Sequence, residues 1–375
     1  SDARIAKILK STEKEIRETR WENNLHPRYL QVDTCAGEFA SSTPYYYSTY
    51  WSQVAAPQTD ADAVMIIGSG PNRIGQGIEF DYSCVRGVKA FQKQGWKTIM
   101  VNSNPETVST DYDTADYLLF EPLTAESLIE IARVFKPKGF VPQFGGQTPL
   151  NMARELVENN LTILGSGLQA IDRAEDRGHF SKLCRELGLQ IPKAGMAGDL
   201  STAMKIEVDI GYPMILRPSY VLGGRRMEVI ENQEELASYF ERHAEAISAD
   251  KPCLMDQFLE GALEVDVDLV RGLDWTVIGG VVEHIEAAGI HSGDSMGVLP
   301  PQRLKDGASE KIEQLSKKLA EKLEVIGHLN LQLALKDNVI FVLEANPRSS
   351  RSLLFMAKAT GIPLIDLGVD RKRVA

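Results

Sequence analysis

No two of the four cysteines, Cys35, Cys84, Cys184 and Cys253, form a Cys-x-x-Cys pair, and none has a histidine at zinc-ligand spacing. A disulfide framework and a structural zinc are therefore not indicated, and the thiols read as reduced and mostly buried. No apolar run approaches the ~18 residues of a membrane helix, and the opening SDARIAKILKSTEKEIRETR has no signal core. A cytoplasmic chain with no membrane partner is the expectation. Positive charge is scarce: 41 Lys+Arg against 52 Asp+Glu give a net charge of −11, which argues against a nucleic-acid surface. Any anionic ligand needs a local basic pocket. Two nucleotide motifs are also missing. There is no G-x-x-x-x-G-K-[ST], and the run from Gly68 has Arg73 where a G-x-G-x-x-G fingerprint needs glycine. The next strand ends on Asn102 and Asn104 instead of a ribose-binding acid.

What is present is a 375-residue chain with 43% hydrophobic and 25% charged residues, a soluble globular composition long enough for two or three domains. It starts at Ser1 without methionine, which reads as a fragment or a processed chain. Ile5, Ile8, Leu9 and Ile16 predict an amphipathic helix within residues 1–24. LHPRYLQVDTCAGEFASSTPYYYSTY reads as irregular, with tyrosines packing across a domain surface, and SQVAAPQTDAD as a linker. From residue 62 short apolar strands (AVMIIG, KTIMVN, YLLFEP, GFVPQFGG, LTILG) alternate with amphipathic helices, the pattern of a doubly wound parallel sheet. Its carboxyl ends carry GSGPNRIGQG, NSNPE and FGGQTP, where Gly68, Gly70, Gly75 and Gly77 either shape tight turns or border a ligand. After residue 171 the pattern becomes α+β.

Four stretches in this second part suggest chemistry. GYPMILRPSYVLGGRRMEVI reads as a glycine-rich hairpin after Arg217, comparable in physics to a lid over nucleotide phosphates. In LEVDVD, Glu264 follows a bend and is a candidate ligand residue, whereas Asp266 and Asp268 are expected to face solvent. His291, Ser292, Asp294 and Ser295 crowd into one loop. In HLNLQLALKDNVIFVLEANPRSS, period two puts Asn330, Gln332 and Ala334 on one face and Glu344 and Asn346 on one face. A hairpin across KDN would gather hard oxygen donors of the kind Mg²⁺ takes when phosphates complete its shell, with Arg348 beyond them for those phosphates. The alternative is a polar face that is merely solvated.

The stretches RAEDR, RPSYVLGG, LEVDVD, GIHSGDS and EANPRSSRS, in that order, resemble the ATP-grasp enzymes. With GPNRIGQGIEFDY, VNSNPETVSTDYDTADYLLFEP, GGQTPL and VDTCAGEFASSTPYYYSTY, the chain looks more narrowly like the carboxyl-terminal synthetase half of the carbamoyl phosphate synthetase large subunit, over residues 1–366. The resemblance implies a connector (1–60), a preATP-grasp α/β domain (61–171) and an ATP-grasp α+β domain (172–375) with a lid subdomain near 193–257. It implies phosphate-binding arginines at Arg177 and Arg217, adenine contacts at Gln257 and Leu259, and a ribose carboxylate at Glu264. Gly289, Ile290, His291 and Ser292 fall in its nucleotide loop, and Gln332, Glu344 and Asn346 match its Mg²⁺ or Mn²⁺ ligands, with Gln332 and Glu344 also on the nucleotide.

The implied reaction is phosphorylation of carbamate by ATP with two ions, serving arginine and pyrimidine synthesis, with Arg348, His291 and Arg217 as the catalytic cations. A bicarbonate-phosphorylating half and a glutamine amidotransferase subunit are the implied partners, and self-association is left open. Arg226 stands in the glycine loop where the family often has a small residue, and the tail GVDRKRVA stops before a regulatory domain. A carboxylate-amine ligase that makes an acylphosphate, an ATP-binding subunit without turnover, and a dinucleotide oxidoreductase are the rival readings.

Overall fold

The computed structural model describes residues 1–52, 62–73, 76–218, 227–290 and 292–369. The amino-terminal segment is two helices instead of one, α1 (Asp2–Leu9) and α2 (Glu13–Glu22). Lys10 turns left-handed and ends the first; Thr12 opens the second with a reciprocal capping box to Glu15, which satisfies donors that a helix start leaves bare. Arg20 is clamped by Asp2 at 2.6 Å and by the distant Glu130 at 3.1 Å, and so fastens the segment to the first large sheet domain.

The stretch expected to be irregular forms two strands, β1 (Arg28–Gln31) and β2 (Tyr45–Thr49), paired antiparallel. Their tyrosines supply the reason. Tyr29 packs edge-on against Phe135 at 5.3 Å, and Tyr46 meets Tyr117 and the same phenylalanine, so the aromatics build core instead of crossing a domain surface.

β3 (Ala63–Ile67), β4 (Lys97–Asn102), β5 (Tyr117–Phe120) and β6 (Phe140–Val141) extend the same sheet in the order β1-β2-β5-β4-β3-β6, all parallel except the β1–β2 edge. Helices α3 (Ile78–Lys93), α4 (Ala125–Phe135) and α5 (Gln147–Glu158) cover it. β6 is shorter than expected, and LTILG contributes only a bridge from Ile163 to Phe140. Asp81 holds the loops at the carboxyl edge, accepting from Asn102, Thr107 and Ser109. Two glycines there answer to crowding: a Cβ at Gly68 would lie 2.6 Å from Asn102, and one at Gly145 2.4 Å from the Ile67 carbonyl. Gly75 lies outside the described residues.

Helices α6 (Leu168–Glu175) and α7 (Arg177–Glu186) lead to a small antiparallel sheet of β7 (Ala194–Ala197), β8 (Met214–Pro218), β9 (Glu228–Ile230) and β10 (Cys253–Gln257), ordered β7-β10-β8-β9. With α8 (Leu200–Ile210) and α9 (Gln233–Arg242) it closes a core of its own around Leu216, Leu236, Tyr239 and Met255. The expected glycine-rich turn between β8 and β9, with Arg226, lies outside the described residues.

The last sheet is antiparallel: β11 (Leu263–Arg271), β12 (Thr276–His284), β13 (Gly297–Val298), β14 (Gly327–Lys336) and β15 (Val339–Asn346), ordered β13-β12-β11-β14-β15. Val267, Leu331 and Leu333 on its apolar face pack with Ile312, Leu319 and Leu323 of α10 (Ala308–Leu323), each such buried side chain contributing about 1.5–3 kcal/mol. The tight turn between β14 and β15 has positive φ at both Asp337 and Asn338, as a two-residue hairpin of the preferred twist requires.

Helices α11 (Arg351–Thr360) and α12 (Leu364–Leu367) then return to the first sheet. Lys93 meets Asp366 at 2.7 Å, and Leu353, Met356 and Leu364 share one core with Val64, Val88 and Phe144. Among the described residues no helix is long and apolar enough to cross a membrane.

Candidate functional site

β11, β14 and β15 pair so that polar side chains stack in two rows across three strands. One row is Asp268–Asn330–Asn346 and the next is Asp266–Gln332–Glu344. The first is sealed, with relative exposures of 0%, 2% and 5% in that order. The second opens outward: Asp266 is buried, Gln332 half-buried and Glu344 exposed. Asn330, Asn346 and the second row form one wall of a cleft of about 380 Å³ that Glu79 and Phe80 of α3 border from the other side.

A bulge makes this possible. Near the turn Lys336 faces Val339 and Leu333 faces Val342, a register that would set Gln332 opposite Leu343 and turn Glu344 to the apolar face. The ladder shifts by one residue after Gln332, so Leu343 is passed over and Glu344 and Asn346 come round to the side of Gln332 and Asn330. Alternation within each strand predicts the two polar faces, but bringing them to the same side takes this extra residue.

Arg348 stands at the end of the rows. Its Nη2 donates to Asn346 Oδ1 at 2.9 Å and its Nε to Gln147 at 3.2 Å, and its guanidinium lies 5.4 Å from the Phe80 ring centroid. Arg351 donates to the Ser292 hydroxyl at 2.8 Å across the cleft. Gln332, Glu344, Asn346, Arg348 and Ser292 therefore line one space.

The remaining expected residues that are described do not line that space. Glu264 accepts from the Gly289 amide at 2.8 Å, beside the half-exposed Ile290. Leu259 is buried in an apolar patch with Ala262, Ala288 and Ala334. Arg217 of β8 and Arg177 of α7 converge on Asp256 of β10, at 2.9 and 3.7 Å, on the inner strands of the four-stranded sheet. Gln257 is tied to Lys193 by two hydrogen bonds. His291 lies outside the described residues.

Two residues expected to face solvent do not. Asp266 and Asp268 belong to the polar rows, because β11 has β12 on one side and β14 on the other and its acidic face is closed. Burial pushes Asp268 up to about 7, against three donors, the Ser350 and Ser352 hydroxyls at 2.6 Å each and Asn330 at 3.2 Å. His284 was also missed. Burial alone would lower its pKa, but the Asp266 and Glu264 carboxylates, 3.3 and 3.7 Å away, prevail and raise it to about 9. The signal for all three was the shared parity of Glu264, Asp266 and Asp268, which becomes informative only once the neighbouring strand is known.

As a cation site the trio supplies one carboxylate and two amide oxygens, and no group of three or more His, Cys, Asp or Glu that could hold a metal occurs among the described residues. Such a set is too weak for a self-sufficient cage but fits a magnesium ion whose other ligands are phosphates and water.

Residues 60–173 match the family model described as the carbamoyl phosphate synthase preATP-grasp domain, and residues 176–370 match the carbamoyl-phosphate synthase L chain, ATP binding domain. The chain is 52% identical over 365 residues to the carbamoyl phosphate synthase large chain of Thermotoga neapolitana, covering 97% of this chain and 33% of that protein. To the large chain of Archaeoglobus fulgidus it is 51% identical over 364 residues, covering 97% and 34%. It thus spans about a third of the length of the curated relatives it matches. Among solved structures, a biotin carboxylase–β,γ-ATP complex from Campylobacter jejuni aligns with a TM-score of 0.64 at 17% identity, covering 84% of this chain and 70% of that one. The biotin carboxylase domain of a Hydrogenobacter thermophilus carboxylase, in complex with MgADP, ADP and bicarbonate, gives 0.63 at 18%, covering 82% and 68%. These two likenesses are of fold. The sequence matches, running in order through both parts of the chain, carry the conclusion: it belongs to the carbamoyl phosphate synthase large-chain family.

Proposed function

We propose that the cleft binds ATP with Mg²⁺ or Mn²⁺, two ions in all, and phosphorylates carbamate to carbamoyl phosphate, as one synthetase half of a carbamoyl phosphate synthetase. The reading rests on one observation: Gln332, Glu344, Asn346 and Arg348 meet at one end of a cleft in a chain of this family. A carbamate oxygen bonds to the γ-phosphorus while the bond to the β,γ-bridging oxygen breaks, and ADP leaves. Carbamate is already an anion, so no general base is required; alignment and neutralisation of charge do the work. A bound divalent cation supplies charge neutralisation across the β- and γ-phosphates.

The chain's own residues fill the other roles. Gln332, Glu344 and Asn346 hold the cations, Arg348, Arg217 and His291 balance the transferring phosphoryl group, and Arg177 steadies the phosphate tail. Glu264 and the Gly289–Ser292 loop take the ribose and phosphates, and Gln257 and Leu259 take the base. Residues 1–60 are a connector, 61–171 and 172–375 the two domains, and 193–257 the lid. A bicarbonate-phosphorylating half and a glutamine amidotransferase subunit complete the assembly in the cytoplasm.

The test is ATP formation from ADP and carbamoyl phosphate. Glu344→Gln should lower the rate about 10²- to 10³-fold with an unchanged circular dichroism spectrum. Wild-type turnover in that variant rejects the cation assignment.

A further inference from the structure

The sealed row carries information in the direction of its hydrogen bonds. A carboxylate can only accept, and a primary amide accepts at one end and donates at the other. Asp268 Oδ1 accepts from Asn330 Nδ2 at 3.2 Å. That bond fixes the Asn330 amide with its oxygen toward the next strand, where Asn346 Nδ2 donates to it at 3.5 Å. The second amide is thereby oriented as well: its oxygen points to the cleft side, where Arg348 Nη2 donates to it at 2.9 Å. Asp268 is itself fixed by the Ser350 and Ser352 hydroxyls at 2.6 Å, and Ser350 also caps α11 through the Leu353 amide.

We propose that Asp268 is a positioning residue: acting through Asn330, it aims the oxygen of Asn346, and not its nitrogen, at the divalent cation of a bound nucleotide. The inference rests on the functional reading above and adds to it. Were the chain of amides reversed, Asn346 would offer a donor to a cation and to Arg348, repelling both. Outer partners that orient a metal ligand are commonly worth about 10- to 100-fold in metal affinity.

The probe is Mn²⁺ titrated into the full chain with ADP, with free Mn²⁺ read by electron paramagnetic resonance. Asp268→Asn should weaken Mn²⁺ binding by the folded protein about 10- to 100-fold. The double variant Asp268→Asn/Asn330→Asp should recover most of it, because a carboxylate at position 330 again accepts from Asn346. A role confined to folding would lower the melting temperature and leave Mn²⁺ affinity alone. Wild-type affinity in Asp268→Asn, or a defect that the second substitution does not repair, overturns the proposal. Should Asp268→Asn fail to fold, Asn330→Ala breaks the same chain of bonds one link later, and unchanged Mn²⁺ affinity there is equally fatal. Wild type that holds no Mn²⁺ with ADP, or Glu344→Gln that holds it as tightly, rejects the functional reading and this inference with it. Loss in Glu344→Gln with retention in Asp268→Asn rejects the inference alone.

Discussion

β3 and β14 each lie between two neighbouring strands and both are buried, yet they are built differently. Ala63–Ile67 of β3 are all apolar, because helices cover both faces of the parallel sheet. β14 alternates: Leu329, Leu331 and Leu333 face the α10 core, while Asn330 and Gln332 face the cleft side. Burial alone therefore does not decide composition. What covers each face does, and a buried face can stay polar when each donor finds an acceptor, as Asn330 does between Asp268 and Asn346.

The contrast can be broken from either side. The largest loss should come from β3: Met65→Ala empties a fully buried site and should cost about 2–5 kcal/mol in urea unfolding. In β14, His328 makes stability depend on pH. Burial against Phe144 pushes its pKa down from the ordinary 6.5 to about 4, so the unfolded chain takes up a proton that the folded chain refuses. Its contribution is present above about 6.5 and disappears as pH falls toward 4, a loss of roughly 3 kcal/mol at 1.36 kcal/mol per unit. His328→Leu should flatten that limb of the unfolding profile; a profile as steep as wild type would show that His328 is not its source. Ile66→Val in β3 should cost only about 0.5–1.5 kcal/mol. The smallest stability change belongs to Gln332→Leu, within about 1 kcal/mol of wild type, but Mn²⁺ binding with ADP should fall clearly. Equal losses of stability and binding in that variant would erase the distinction between the two strands.

The sequence was most informative where one physical cause acts alone. Continuous apolar runs separated by amphipathic helices announced the parallel sheet, since covering both faces leaves no other pattern. β1 and β2 were not legible: their pairing depends on Tyr29 and Tyr46 reaching Phe135, more than 80 residues along the chain. The polar faces of β14 and β15 were legible from period two, but the burial of Asp266 and Asp268 was not, because acids on one strand look solvated until the strand beside them is known. The lid turn and His291 lie outside the described residues, so their expected roles remain with the proposal.

The bulge at Leu343 sets a rule for what this hairpin tolerates. Inserting a single residue between Asn338 and Glu344 swaps odd for even and turns Glu344 and Asn346 to the apolar face, whereas deleting Leu343 only removes the bulge and leaves Glu344 opposite Gln332. Two residues added together restore the count, so viable insertions in this hairpin should come in steps of two.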